Sequence, residues 1–306
     1  MTLQELFTSP PPATGWSLDT AMAAVVRRQG RDELRSAASE LPDGTFEIGP
    51  VGLQAVDEDA LRPILTRLHE EVAGSKRVSV VVPTGWVRCH LLEFDSLPRR
   101  RAEIRELVIW RLKKLLPVPP ASLRLAMVPV PPRTDDDKRR LLIMVGVERA
   151  LAALEAVFES VGASPGIITP RLFAVADAFD KVPRLFVVQQ ERGFLALILV
   201  LDGTPAVIRT KPLAGDDWSV VERELGLTVG FAARTFDVEA GLEVALSVED
   251  RVLADRLQGW VASTEGVARA PVAQPASASF DGTAVRDRAG AFRIDPLVGV
   301  VSGGLR

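Results

Sequence analysis

The sequence predicts an α/β fold of two duplicated halves, with a small α+β unit inserted into the first. Three observations predict it. Residues 16–40 and 185–211 carry the same run of three strands joined by tight connections. The first run is followed by a helix and then a strand apolar enough to be buried on both faces. Residues 97–162 form a self-contained helix–strand–strand–helix set. With 306 residues, 47% hydrophobic and 25% charged, the chain is long enough for two cores of ordinary size. The expected division is a tail at 1–14, a first half at 15–96, the insert at 97–162, a return to the first half at 163–184 and a second half at 185–306.

In the tail, Leu3, Leu6 and Phe7 precede Ser9 and three prolines without a basic region or a long apolar run, so it reads as a tail and not a signal peptide. Strands follow at 16–19, 21–27 and 34–40, and Pro42-Asp43-Gly44 turns the chain. Asp57 opens a helix over 57–72, with Leu61, Ile64, Leu65 and Leu68 on one face and Gly74 past its end. Residues 76–83, with Val78, Val80, Val81 and Val82, form the buried strand.

The insert begins with the most distinctive stretch. Ile104, Leu107, Val108, Trp110, Leu112, Leu115 and Leu116 recur at helical spacing, and Arg99, Arg100, Arg101, Arg105, Arg111, Lys113 and Lys114 add positive charge. Pro117, Pro119 and Pro120 lack amide hydrogens, so the helix is expected to end at about Leu116. Strands at 122–130 and 141–147 flank a solvated hairpin tip at 133–140, and a helix at 148–161 closes the set. Residues 165–180 return as a strand and a helix built on Leu172, Val175, Ala176 and Phe179.

The second half restarts with strands at 185–189, 194–201 and 205–211, the last two joined at Asp202-Gly203. A short helix over 218–225 is expected to stop at Gly226, followed by a strand at 244–247 and a helix at 248–262. Residues 270–283, rich in Ala, Ser and Pro, read as a loop, and 295–305 as a closing helix.

Several chemistries are disfavoured. A net charge of −3 gives no basic field to hold nucleic acid, and the absence of Tyr with scattered Trp leaves no stacking platform. Cys89, the only cysteine, excludes an internal disulfide and reads as a small buried hydrophobe in a strand, suited to a reducing cytoplasm. No run of about 18 apolar residues exists. His69, read as a solvent-side helix residue, and His90, pointing outwards from a strand, have no ligand-spaced partners for a metal. Glu70-Glu71 and Asp216-Asp217 are adjacent and point apart, no G-x-S-x-G elbow occurs, and 226–230 lacks the P-loop pattern.

Leu97-Pro98, the charged helix with Trp110, and the Leu116-Pro117-Val118-Pro119 exit together resemble the inserted subdomain of the PilM family, actin-like proteins of type IV pilus assembly. Residues 150–179 and the ending 295–306 are similar to the family's return segment and final helix, and Pro212-Leu213-Ala214-Gly215 to its Pro-x-Gly-Gly turn. The resemblance implies an actin-like (ribonuclease H-like) fold, also that of the GspL cytoplasmic domain of type II secretion.

An actin-like ATPase wraps phosphates with two hairpins, whose small residues let backbone amides reach the oxygens while an aspartate orients magnesium. Laid on the family's first hairpin, Asp19 keeps the acidic position, Ala21 stands at the glycine and Val26 at the lysine. On the second, Gln189 stands at the aspartate, Glu191 at the glycine and Ala196 at the threonine. Glu191 would turn negative charge towards a polyphosphate, so the resemblance implies a degenerate nucleotide site with no cofactor; ATP with magnesium is disfavoured. The stretch between Leu227 and Leu242 is too short for the family's adenine-side subdomain.

By the same resemblance the chain is a non-catalytic cytoplasmic scaffold, peripheral at the inner membrane. It would bind the cytoplasmic tail of a PilN-like single-span protein and link it to a motor ATPase. The tail would lie between the insert and the first half, with Val87, Leu91, Trp110 and Leu125 as lining. The alternative is a divergent ATP-binding ATPase or sugar kinase, with Asp19 as its strongest residue.

Overall fold

The computed structural model describes residues 12–29, 34–113, 118–132, 138–179, 181–214, 217–236 and 241–270. Residues 1–11 of the expected tail, 133–137 of the hairpin tip, the end of the helix at 114–116, the rest of the loop after 270 and the closing helix lie outside them.

The first lobe opens with the expected meander: β1 (Thr14–Leu18), β2 (Met22–Arg28) and β3 (Leu34–Glu40). A hairpin, β4 (Phe46–Gly49) and β5 (Gly52–Val56), comes next. Sequence reading passed over it, because each strand is too short to show a period. The helix α1 (Glu58–Glu71) starts at Asp57, whose carboxylate accepts the Ala60 amide, and buries Leu61, Leu65 and Leu68. Then come β6 (Arg77–Val82) and, beyond the insert, β10 (Ser164–Pro170). The sheet order is β10-β6-β1-β2-β3.

The second lobe repeats this plan. It holds β11 (Arg184–Glu191), β12 (Phe194–Leu201), β13 (Thr204–Pro212), α5 (Trp218–Phe236), β14 (Leu242–Val248), α6 (Arg251–Ser263) and β15 (Val267–Arg269). Its sheet, in order β15-β14-β11-β12-β13, matches the first strand for strand. In both, the first strand of the meander pairs parallel with the strand that follows the helix, β1 with β6 and β11 with β14. The expected stop at Gly226 does not hold: α5 continues to Phe236. Val221, Leu225, Thr228 and Ala232 form a continuous buried stripe, and that burial outweighs the cost of about 1 kcal/mol for a glycine inside a helix.

The insert is a sheet of β7 (Arg88–Phe94), β9 (Arg139–Val147) and β8 (Leu123–Val130), in that order, with α2 (Arg101–Leu112) on one face. Val108 and Leu112 of α2 pack on Phe94, Leu141, Ile143 and Val145. The sheet takes in β7, so the unit reaches back before the boundary expected at 97. The helix expected to close the insert, α3 (Glu148–Ser160), instead packs into the first lobe's core, where Leu154, Val157 and Phe158 meet Trp16 and Leu61.

The other face of the insert sheet leans on the second lobe. Val87, Cys89 and Leu142 join Val187, Ala196 and Ile198 in one apolar layer. Between the lobes runs the short α4 (Arg171–Asp177), with Leu172, Val175 and Ala176 in that layer and Ala174 against Ala24, Val26 and Val81 of the first sheet. No helix among the described residues is long and apolar enough to cross a membrane.

Candidate functional site: an interlobe cleft and an insert groove

The two meanders turn their β-hairpins towards each other across a cleft of about 450 Å³. Asp19 and Ala21 line it from the first lobe, Glu191, Arg192 and Phe194 from the second, and Trp86 and Arg88 from the floor. Three of the six residues assigned to a degenerate nucleotide site are thus brought together. The other three are not in the lining. Gln189 is buried just behind Glu191, Val26 lies in the apolar contact beneath α4, and Ala196 is in the interlobe layer. The register that pairs Gln189 with Ala196 points both side chains into the core.

The Asp19 carboxylate is committed locally. Its Oδ1 accepts the amides of Ala21 and Met22, both at 2.7 Å, which pins the β1–β2 turn. Arg88 is likewise held, donating to the Pro50 carbonyl at 2.6 Å with its guanidinium 5.7 Å over the Phe194 ring.

Behind the cleft lies a knot of buried polar groups from both lobes. The Thr84 amide donates to Glu191 Oε2 at 2.8 Å, and the Gly85 amide reaches the same oxygen at 3.5 Å. The Thr84 hydroxyl donates to Gln189 Oε1 at 2.7 Å and accepts the Leu172 amide. Gln189 Nε2 donates to Glu191 Oε1 at 2.9 Å. The Arg171 guanidinium stands 3.4 Å from Glu191 and 3.3 Å from Glu249, and donates to the Leu18 carbonyl at 3.2 Å. Burial pushes the Glu191 carboxyl up to about 7, against the pull of Arg171 and with a further push from Glu249. Burial raises Glu249 as well.

Glu191 turns a carboxyl towards the cleft, Val26 is a buried apolar residue, and the Asp19 carboxylate already holds its own turn. Among the described residues there is no cluster of three or more His, Cys, Asp or Glu able to hold a metal ion. His69 is not a solvent-side residue: it stacks on Trp16 with ring centroids 6.3 Å apart, and burial and Arg27 lower its pKa. His90 is half-buried and lowered by burial and Arg88.

A second concavity lies between the insert and the first lobe. Edge strands β8 and β10 bound a groove of about 200 Å³ with Val87, Ala126, Met144, Leu151 and Ile168 as its apolar lining. Arg124 and Glu155 form a polar rim. Arg124 makes a fork with Glu148 at 2.6 and 2.9 Å and reaches Glu155 at 2.6 Å, tying β8 to α3.

Of the four residues expected to line such a groove, only Val87 does. Leu91 packs into the interlobe layer and Leu125 against the insert core on the opposite face of β8. Trp110 is 64% exposed, because it lies two residues from Val108 and so about 200° round the helix from the buried face. Met144 and Leu151 carried no signal in the sequence, since their role depends on how two separate sheets meet.

No family model matches the sequence, and no curated protein does. Among solved structures, a chain described as a PilM–PilN type IV pilus biogenesis complex is 17% identical with a TM-score of 0.68, covering 96% of this chain and 98% of that one. A Bacteroides thetaiotaomicron protein with an actin-like ATPase fold and unknown function is 10% identical with a TM-score of 0.55, covering 97% and 98%. The cytoplasmic domain of EpsL, from the type II secretion system of Vibrio cholerae, gives a TM-score of 0.47 at 10% identity over 77% and 81%. The chain has the actin-like fold.

Proposed function

We propose that this actin-like chain is a non-catalytic scaffold of a type IV pilus or type II secretion assembly platform. It binds the cytoplasmic tail of a PilN-like single-span protein in the groove between β8 and β10 and uses no nucleotide. The observation that carries this is the groove itself, in a chain whose fold follows a PilM–PilN complex chain almost end to end. An apolar floor flanked by two free strand edges suits an extended peptide, which gains backbone hydrogen bonds from an edge and places alternate side chains on Met144 and Leu151. On this reading the protein is cytoplasmic, held at the inner membrane by its partner, and hands that contact on to an assembly motor ATPase.

The test is a polarisation titration with a labelled peptide from the cytoplasmic tail of a PilN-like single-span protein of the same organism. Binding in the micromolar range is expected, and Ala126→Arg should weaken it at least about tenfold with little change in Tm. No binding, or equal binding by the variant, rejects the groove.

A second reading is favoured by the cleft's volume and by Asp19 at its edge: a divergent ATP-binding protein. A fluorescent ATP analogue with magnesium separates the two. Saturable micromolar binding would transfer the assignment to it.

A further inference from the structure

The interlobe knot has the form of a receptor that already holds its ligand. Two consecutive backbone amides, Thr84 and Gly85, converge on one oxygen of Glu191, while Gln189 Nε2 and Arg171 face the other. Every group hydrogen-bonded or ion-paired to this carboxyl is a donor, and the one like charge nearby, Glu249, shares the same Arg171 nitrogen. Amides from a turn, a side-chain amide and a guanidinium are what a protein uses to seat a free oxyanion. Here the oxyanion is covalently part of the second lobe, while the amides and the arginine belong to the first. Glu191 is 5% exposed and Arg171 7%, so the bonds from Thr84, Gln189 and Arg171 are largely withdrawn from solvent, while Gly85 lies at the cleft surface.

We infer that Glu191 is a tethered ligand, filling a carboxylate-sized anion site built by Thr84, Gly85, Gln189 and Arg171 and so closing the lobes without any bound molecule. This rests on the reading of the cleft as nucleotide-free and deepens it. Where an actin-like ATPase would gain interlobe contacts from a bound phosphate, this chain carries the acceptor oxygen on its own strand. The remaining bonds in the knot fit that role. Arg171 reaches Leu18 in the first lobe and Glu249 in the second, and Glu249 accepts the Arg192 amide, so the loops flanking the anion are fixed from both sides.

The consequence is a site that appears when its ligand is removed. Glu191→Ala leaves two amides and a guanidinium facing an apolar methyl, in a space sized for a carboxylate. Its Tm should fall by about 5 °C or more. Acetate at about 100 mM and pH 8, where the wild-type Glu191 carboxyl is ionised, should then raise the variant's Tm by about 2–4 °C over sodium chloride of equal ionic strength, and leave the wild type unmoved. An acetate shift equal in both proteins, or absent from the variant, overturns the inference.

Should the variant fail to fold, amide hydrogen exchange on the wild-type chain decides. Thr84 should exchange as slowly as the amides of β6, and exchange at the rate of an open turn overturns the proposal. Binding of the ATP analogue to the wild type would sink the nucleotide-free reading whatever acetate does. A failed acetate rescue with no ATP binding sinks only this inference.

Discussion

At Gly52 the backbone has φ +108°, and a Cβ placed there would run into the Trp86 carbonyl. Both the left-handed conformation and the contact exclude a side chain, so Gly52→Ala should cost about 2 kcal/mol or more, read as a lower urea midpoint at unchanged slope. Glu191 gives a pH dependence of definite sign. Burial holds its folded carboxyl up to about 7 while the unfolded one lies at the ordinary 4.5, so between these the folded chain keeps a proton that the unfolded chain releases. Stability from this source is full below about pH 4.5 and is lost as pH rises through 7. Glu249, also raised, slopes the same way; Arg171 faces both carboxyls, and Asp19 adds like charge to Glu249. Thermal melts from pH 5 to 8 should show Tm falling, and Glu191→Gln should flatten that fall. A Tm that rises over this range would contradict the assignment.

Among the helices, α5 offers the clearest trial of why sequence reading missed its length. A Cβ at Gly226 would meet nothing within 4 Å, so Gly226→Ala should raise stability by up to about 1 kcal/mol, where a true helix terminus would show no gain. Asp250, whose carboxylate accepts the Leu253 amide at the start of α6, should cost about 1 kcal/mol when replaced by Ala. The strands of both meanders and α1 were legible because each carries its own period or cap, as Asp57 and the Leu61–Leu65–Leu68 stripe do. The hairpin β4–β5 was not, and neither was the placing of α3 in the first lobe, since both depend on what a segment packs against. The same division runs through the sites. Asp19 and Glu191 could be found from their turns, whereas Arg171, Glu249 and Thr84 meet Glu191 across 20, 58 and 107 residues of chain. Their one local sign was the Arg171 charge ahead of the apolar run Leu172–Ala176.

Over the whole molecule, the apolar layer shared by the insert sheet, α4 and the second lobe makes these parts one cooperative body. Cys89 lies inside that layer and reports on it. Burial pushes its thiol up to about 12, so a thiol reagent at pH 8 should label the native chain at least about 100-fold more slowly than the urea-unfolded chain. Fast labelling under native conditions would mean that the insert lifts off. The helix α4 carries the larger consequence. From Arg171 to Ala176 every residue is buried, with strands of both sheets around it. A pivot must be able to turn, and this one is clad on every side. On the proposed scaffold reading, a tail held in the insert groove would keep a constant bearing towards the far lobe, as on a set-square and not a lever.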